Sequence, residues 1–345
     1  MLDIRTFHFG TFTTRTVFCS PEEVLEDALL VFDENTAKLF PGRSQRYAIV
    51  LPPGEKAKNW QSIDTILKAA IDNSYGRDGC FCAIGGGVVC DLTAFAASVY
   101  MRGCSVVLVP TTLLAMVDAS LGGKSGIDYE GYKNMVGTFY PASEVRYCPQ
   151  LLKSLPDREY LSGMGEVIKT AMLGDKDLFQ YLKDNRDLIL QRDLNAMTEI
   201  IRRCIMVKGK IVEEDLHERN IRATLNLGHT FAHALESVSG FTDWSHGESV
   251  AWGLLMALET GIELGITDNY YAIEVRKMLE DYNFRLYADI DTDKMILAMN
   301  QDKKKKGGVI NFILQKNIEQ TIIMPVDKDI IHSVLKRNRE KAGET

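Results

Sequence analysis

The sequence predicts an α/β protein in two parts. A Rossmann-like N-terminal domain of the nucleotide-binding type covers residues 1–152, and a mostly α-helical C-terminal domain covers residues 153–345. Two observations predict this. Between Cys80 and Val109 a strand, a glycine turn, a helix and a second strand follow one another, the βαβ order that builds a parallel sheet. After about Leu151 strand signals nearly vanish, and long stretches of helical spacing replace them.

The elements follow in order. Arg46–Leu51 (RYAIVL) is a short apolar run stopped by Pro52-Pro53-Gly54, a strand and its turn. Trp60–Ile71 has helical spacing. Cys80–Ile84 (CFCAI) is a buried strand broken by Gly85-Gly86-Gly87, and Asp91–Met101 is a helix with small residues. Ser105–Val109 is the next strand, and Pro110-Thr111-Thr112 ends it. Helical patterns then run over Asp157–Lys183, Leu194–Glu214, Arg222–Val238, Glu248–Leu264 and Tyr270–Asp281. Val309–Leu314 and Thr321–Pro325 read as a hairpin, and the lysines at 303–306 as a solvated turn. A ligand would lie in a cleft between the two domains.

Composition narrows the class. Of 345 residues, 46% are hydrophobic and 25% charged, which suits a folded protein with a full core. The net charge of −7 argues against a general nucleic-acid binder but allows a basic pocket for a small anion. Seven scattered cysteines form no CxxC pair, so we read them as reduced core residues. The start lacks a signal-peptide pattern, and no apolar run approaches the roughly 20 residues that span a bilayer.

Several short stretches could carry chemistry. Three glycines between a strand and a helix let backbone N–H groups approach a phosphate, with Asp91 near the helix start; a plain tight turn has the same look. Thr111 and Thr112 either face a ligand crevice or cap the next helix. Lys124 in LGGKSG, with Lys133-Asn134 nine residues on, suits a phosphate, or is a solvated loop lysine. Glu166 and Lys169 share one helix face, as an exposed ion pair would.

Half of the six histidines fall in one stretch: His229, His233 and His246. The i, i+4 pair can chelate one ion, and His246 could add a third nitrogen. Arg222, Lys208, Lys210 and Arg202 could form a basic pocket for a doubly anionic substrate, or solvated surface charges.

Taken together, GGGVVCD, PTTLLAMVDASLGGKSG, YKNMVG, LPDREYLSGMGEVIK, LNLGHTFAHALE and HGESVAWG resemble, in this order, the 3-dehydroquinate synthase family of sugar-phosphate cyclases. The resemblance runs from about Asp33 to Lys304. It implies a carbon–oxygen lyase of the shikimate pathway, which leads to aromatic amino acids. The substrate would be 3-deoxy-arabino-heptulosonate 7-phosphate and the products 3-dehydroquinate and phosphate. Transient oxidation by NAD, phosphate elimination, re-reduction and an intramolecular aldol closure make up the reaction.

By the same resemblance the metal ligands, for zinc or cobalt, would be Glu166, His229 and His246, and His233 would turn to the substrate. Lys124, Asn134, Lys169 and Asn226 would bind phosphate and hydroxyls, and Lys208 with Arg222 the carboxylate. Arg102 would enter from the neighbouring subunit of a homodimer, and one of Lys303 and Lys304 would reach the substrate. NAD would meet Asp33, Asn35, Glu55, Lys58, Gly86, Gly87, Asp91, Thr111, Thr112, Asp118, Lys133, Ser154 and Glu159. A cytoplasmic location is implied, with neither nucleic acid nor membrane as partner. Cys90, Ala94, Asp128, Ser154 and Cys148 depart from the family's usual residues. Another sugar-phosphate cyclase, a metal-dependent polyol dehydrogenase of related fold and a catalytically dead NAD-binding scaffold are the rival readings.

Overall fold

A computed structural model describes residues 2–23, 28–41, 47–240, 243–305 and 310–343, with backbone alone at 3 and 301–305. The chain divides into two compact units, Met1–Leu155 with Met197–Arg219, and Pro156–Ala196 with Asn220–Thr345.

The first unit opens with an antiparallel hairpin, β1 (Leu2–Phe9) and β2 (Phe12–Phe18). Next come β3 (Leu29–Asp33), β4 (Ala48–Leu51), α1 (Trp60–Asp72), β5 (Cys80–Gly85), α2 (Gly87–Val99) and β6 (Ser105–Pro110). A separate antiparallel hairpin, β7 (Lys124–Tyr129) and β8 (Tyr132–Phe139), precedes β9 (Glu144–Tyr147). The described residues form a seven-stranded sheet in the order β1-β2-β9-β6-β5-β3-β4, parallel from β2 onward. β5 is buried along nearly its whole length, as a strand covered on both faces must be. Gly86 caps α2 directly after β5, so the helix starts four residues earlier than expected and Asp91 falls in its second turn. The expected strand at Arg46–Leu51 is Ala48–Leu51; Arg46 lies outside the described residues.

Along the second unit run α3 (Asp157–Gly174), α4 (Lys176–Asp184) and α5 (Arg186–Leu190). The single helix expected over Asp157–Lys183 is two, because the Asp175 carboxylate accepts from Leu178 N at 2.7 Å and starts a new one. α6 (Leu194–Glu214) has the expected bounds, and from Met197 it belongs to the first unit. There a Cβ on Gly209 would stand 2.1 Å from the Phe7 ring, and Glu213 accepts from Arg5 Nη2 at 2.7 Å.

The helix expected over Arg222–Val238 is also divided. Ile221–Asn226 is a short 3-10 turn, Gly228 takes φ +77°, and α7 (His229–Val238) begins after it. Arg222 and Asn226 therefore lie in the 3-10 turn before α7, not on one helix with the histidines. α8 (His246–Glu263) follows, then α9 (Asn269–Asp281) and α10 (Thr292–Lys305). The hairpin β10 (Asn311–Asn317) and β11 (Gln320–Pro325) forms as expected, although Val309 lies outside the described residues. α11 (Lys328–Ala342) closes the chain.

Residues 303–305 end α10 rather than forming a turn; their side chains and Lys306 are outside the described residues, so neither Lys303 nor Lys304 can be placed. α8 is buried on every side from Gly247 to Leu258, which makes it the axis of this unit. Trp252 on α8 is fully buried and donates from Nε1 to Asn338 Oδ1 on α11 at 3.0 Å. Among the described residues no helix is long and apolar enough to cross a membrane.

Candidate functional site

Three elements of the second unit converge because glycines let them touch. A Cβ on Gly247 of α8 would lie 1.7 Å from the Ser162 carbonyl oxygen of α3, and one on Gly165 of α3 would lie 2.3 Å from Gly247 O. A Cβ on Gly253 of α8 would lie 2.2 Å from Gly228 O at the entry to α7. Glu166 follows Gly165, His246 precedes Gly247, and His229 follows Gly228. Each bare backbone contact thus sets one chemically active side chain.

Those side chains meet. Glu166 Oε1 lies 3.5 Å from His229 Nε2 and 3.3 Å from His246 Nε2, and the ligand atoms of all three fall within 4.8 Å of one another. Glu166 is 1% exposed, its Oε2 pairs with the Lys169 ammonium, and its Oε1 faces the two imidazole nitrogens. The other imidazole nitrogens are engaged. His229 Nδ1 faces Leu227 O at 3.2 Å, and His246 Nδ1 faces Glu236 Oε1 at 2.8 Å. With Nδ1 engaged on each ring, each Nε2 becomes a ligand atom aimed at the carboxylate once it carries no proton. A buried carboxylate oxygen facing two such nitrogens fits a divalent ion of the zinc or cobalt type and leaves positions open for a substrate.

The electrostatics are those of a packed ionic cluster. Burial opposes the Glu166 charge, but the Lys169 ammonium and the two imidazoles outweigh it and hold the carboxyl well below its usual range. Burial, then the Lys169 charge, hold His229 neutral. His246 goes the other way: burial is outweighed by its bonds to Glu166 and Glu236, which raise its pKa to about 10. Taken alone, the i, i+3 spacing of Glu166 and Lys169 reads as an exposed surface pair. The ion pair exists but is buried, with Lys169 2% exposed.

His233 stands apart from the three. Its side chain is exposed, its ring centroid is 5.4 Å from that of His229, and it is not in the cluster of ligand atoms. Arg222 is buried, Asn226 is half-buried at the end of the 3-10 turn, and Glu159 is exposed in the first turn of α3. Glu236 was missed by sequence reasoning. Its signal lay in the stretch itself, a carboxylate seven positions after His229 and so on the same helix face.

The first unit gathers a second group. Lys58, 5% exposed, donates from Nζ to Asp91 Oδ2 at 2.6 Å and to Asn134 Oδ1 at 2.5 Å. Asn134 has φ +52°, and its N–H donates to Asp128 Oδ1 at 2.8 Å, so Asp128 helps hold that backbone. Lys208 Nζ donates to Asp118 Oδ1 and to Asp118 O, each at 2.5 Å. Lys124 begins β7 rather than lying in a loop, and it pairs with Glu218. Lys133 is exposed on β8.

Gly86 and Gly87 form the start of α2. Thr111 N donates to Gly85 O at 2.9 Å, and Thr112 Oγ1 accepts from Ala115 N at 3.1 Å, a capping bond. Asp33 Oδ1 accepts from the N–H groups of Asn35 and Thr36 at 3.0 and 2.8 Å, which shapes the turn after β3. Glu55 is exposed in a 3-10 turn, and Ser154 Oγ donates to Leu151 O at 3.0 Å. Arg102 is exposed and has left-handed backbone, φ +68°.

The 3-dehydroquinate synthase N-terminal pattern matches residues 48–162 and the C-terminal pattern residues 163–305. The 3-dehydroquinate synthase of Nitrosospira multiformis is 41% identical over 289 residues, 83% of this chain and 79% of its own. Among solved structures, 2-epi-5-epi-valiolone synthase from Streptomyces hygroscopicus, with NAD⁺ and Zn²⁺ bound, superposes with a TM-score of 0.88 at 23% identity, covering 98% of this chain and 99% of its own. A 2-deoxy-scyllo-inosose synthase complexed with carbaglucose-6-phosphate, NAD⁺ and Co²⁺ superposes with a TM-score of 0.87 at 20% identity, covering 97% and 99%. The two solved structures share the fold, and the unbroken sequence match from 48 to 305, with 41% identity to a relative, shows that the chain belongs to the 3-dehydroquinate synthase family.

Proposed function

We propose that the chain converts 3-deoxy-arabino-heptulosonate 7-phosphate into 3-dehydroquinate and inorganic phosphate, and that it uses NAD and a divalent metal ion. Family membership supports the substrate. The observation that carries the chemistry is the buried Glu166 carboxylate, whose Oε1 faces two imidazole nitrogens that their Nδ1 partners leave free to ligate. When bound, NAD accepts and returns two electrons, and the ion acts as a Lewis acid.

The protein's own groups do the rest. Glu166, His229 and His246 hold the ion, and the Glu236 carboxylate fixes the ring orientation of His246. We assign proton exchange with substrate to His233, which is exposed beside them. We assign phosphate and hydroxyl recognition to Lys124, Asn134, Lys169 and Asn226, and the substrate carboxylate to Lys208 and Arg222. The Lys58–Asp91 pair, with Gly86 and Gly87 at the start of α2, belongs to the nucleotide side. Arg102 from a second copy, a homodimer and a cytoplasmic location complete the proposal.

The test is direct. Incubation with the seven-carbon phosphate, catalytic NAD⁺ and Zn²⁺ or Co²⁺ is expected to release phosphate and dehydroquinate in equal amounts without accumulating NADH. Absence of both products with every metal tried would overturn the proposal. Stoichiometric NADH would point to a dehydrogenase, and turnover of a sugar phosphate lacking the carboxylate to another cyclase.

Metal uptake also has a predicted pH dependence. Glu166 and Glu236 keep His246 protonated up to about pH 10, so below that pH an incoming ion must displace a proton. Competition weakens as pH rises, and affinity for Zn²⁺ or Co²⁺ is expected to rise by up to about tenfold per pH unit between pH 7 and 9. A flat affinity across this range, measured by competition with a chelator, would show that His246 carries no proton for the ion to displace there.

A further inference from the structure

β2 and β9 lie side by side in parallel, with Phe18 opposite Tyr147. The next residue on each strand is a cysteine, and Cys19 N donates to Tyr147 O at 3.0 Å, which carries the register one step further. The sulfurs of Cys19 and Cys148 stand 2.8 Å apart, inside the contact distance of two ordinary thiols. Both residues are buried, at 6% and 0% exposure, and the proposed reaction uses neither. We propose that Cys19 and Cys148 are a modification site, an oxidisable pair that closes to an intrachain disulfide with a small peroxide oxidant.

The surroundings choose the attacking sulfur. The hydrogen bond with Cys148 lowers the Cys19 pKa, and the charge of the buried Arg146 side chain adds to the effect. The same bond pushes Cys148 upward. Cys82 and Cys90 are also pushed up, by burial, and so are poor nucleophiles. The Cys19 thiolate attacks one oxygen of hydrogen peroxide; the O–O bond breaks, and the departing hydroxide takes a proton to become water. The Cys148 sulfur then attacks the sulfenic sulfur. The S–S bond forms, the S–O bond breaks, and the second oxygen leaves as water with the Cys148 proton. Two thiols and one peroxide give one disulfide and two waters.

The bond would tie the β1–β2 hairpin to β9 and close a long loop of the unfolded chain. Treatment of the full chain with a modest excess of hydrogen peroxide is expected to lower the thiol count, titrated in denaturant, by two from seven. Peptide mapping is expected to find Cys19 joined to Cys148, and the melting temperature to rise by roughly 5 °C or more, reversibly with dithiothreitol. Cys19→Ser and Cys148→Ser are each expected to abolish the crosslink and the shift. Seven thiols after treatment, a different crosslinked pair, or sulfinic acid at Cys19 without a crosslink would overturn the proposal. If a serine variant fails to fold, the map of the unaltered chain still decides.

Discussion

His246→Ala is expected to strip the chain of its metal ion, while His233→Ala is expected to keep it. The two histidines look equivalent in the sequence, and His233 even has the better chelating distance to His229. The structure separates them by their neighbours. His246 presents Nε2 to Glu166 Oε1 at 3.3 Å and has its other nitrogen occupied by Glu236 at 2.8 Å. His233 is exposed and outside the set of converging ligand atoms. Removing a ligand from a three-ligand site should weaken binding by more than the roughly 10- to 100-fold typical of losing a group behind a ligand. Glu236→Gln, which keeps the size but loses the charge, should fall within that smaller range. Metal content after gel filtration and the visible spectrum of the Co²⁺ form measure all three. Equal metal loss in the two alanine variants would refute the division of the histidines.

What made this site hard to read from sequence is that its geometry is set by nonlocal backbone contact. The types and order of residues pointed to Glu166, His229 and His246 through resemblance, but spacing alone favoured His229 with His233. The distance from Glu166 to the imidazoles depends on three bare-backbone approaches, at Gly165, Gly247 and Gly253, which leave no periodic trace. The fold shows the same limit. β5, α2 and β6 were legible because an apolar run, a glycine and a second apolar run are local signals. The hairpin Leu2–Phe18 is rich in threonine and arginine, and β9 is four residues slotted between β2 and β6, a placement set by pairing rather than composition. At Asp175 and Gly228 the helical spacing continues through a break, which only the capping bond and the positive φ reveal.

The largest expected loss of stability comes from a single methyl group, in Gly247→Ala. The new Cβ would stand 1.7 Å from Ser162 O, 2.4 Å from its carbonyl carbon and 2.6 Å from its Cα. These are backbone atoms of α3, which cannot step aside as the end of a side chain could. Gly247 N also donates to Ser162 Oγ at 3.0 Å, so separating the helices breaks that bond as well. Overpacking of this kind should cost about 3 kcal/mol or more and lower the melting temperature by on the order of 10 °C. A suitable control is Gly265→Ala, at φ +69° with open space around it, where only backbone strain of about 1 kcal/mol is expected. Because Glu166 and His246 sit one residue from the forced contact, Gly247→Ala should also weaken metal binding in whatever fraction still folds, and Gly265→Ala should not. Thermal melts with and without added Zn²⁺ test both parts. If the two variants melt alike, close approach at Gly247 does not support the fold. If Gly247→Ala melts low but keeps full metal affinity, that approach does not set the distance between Glu166 and His246.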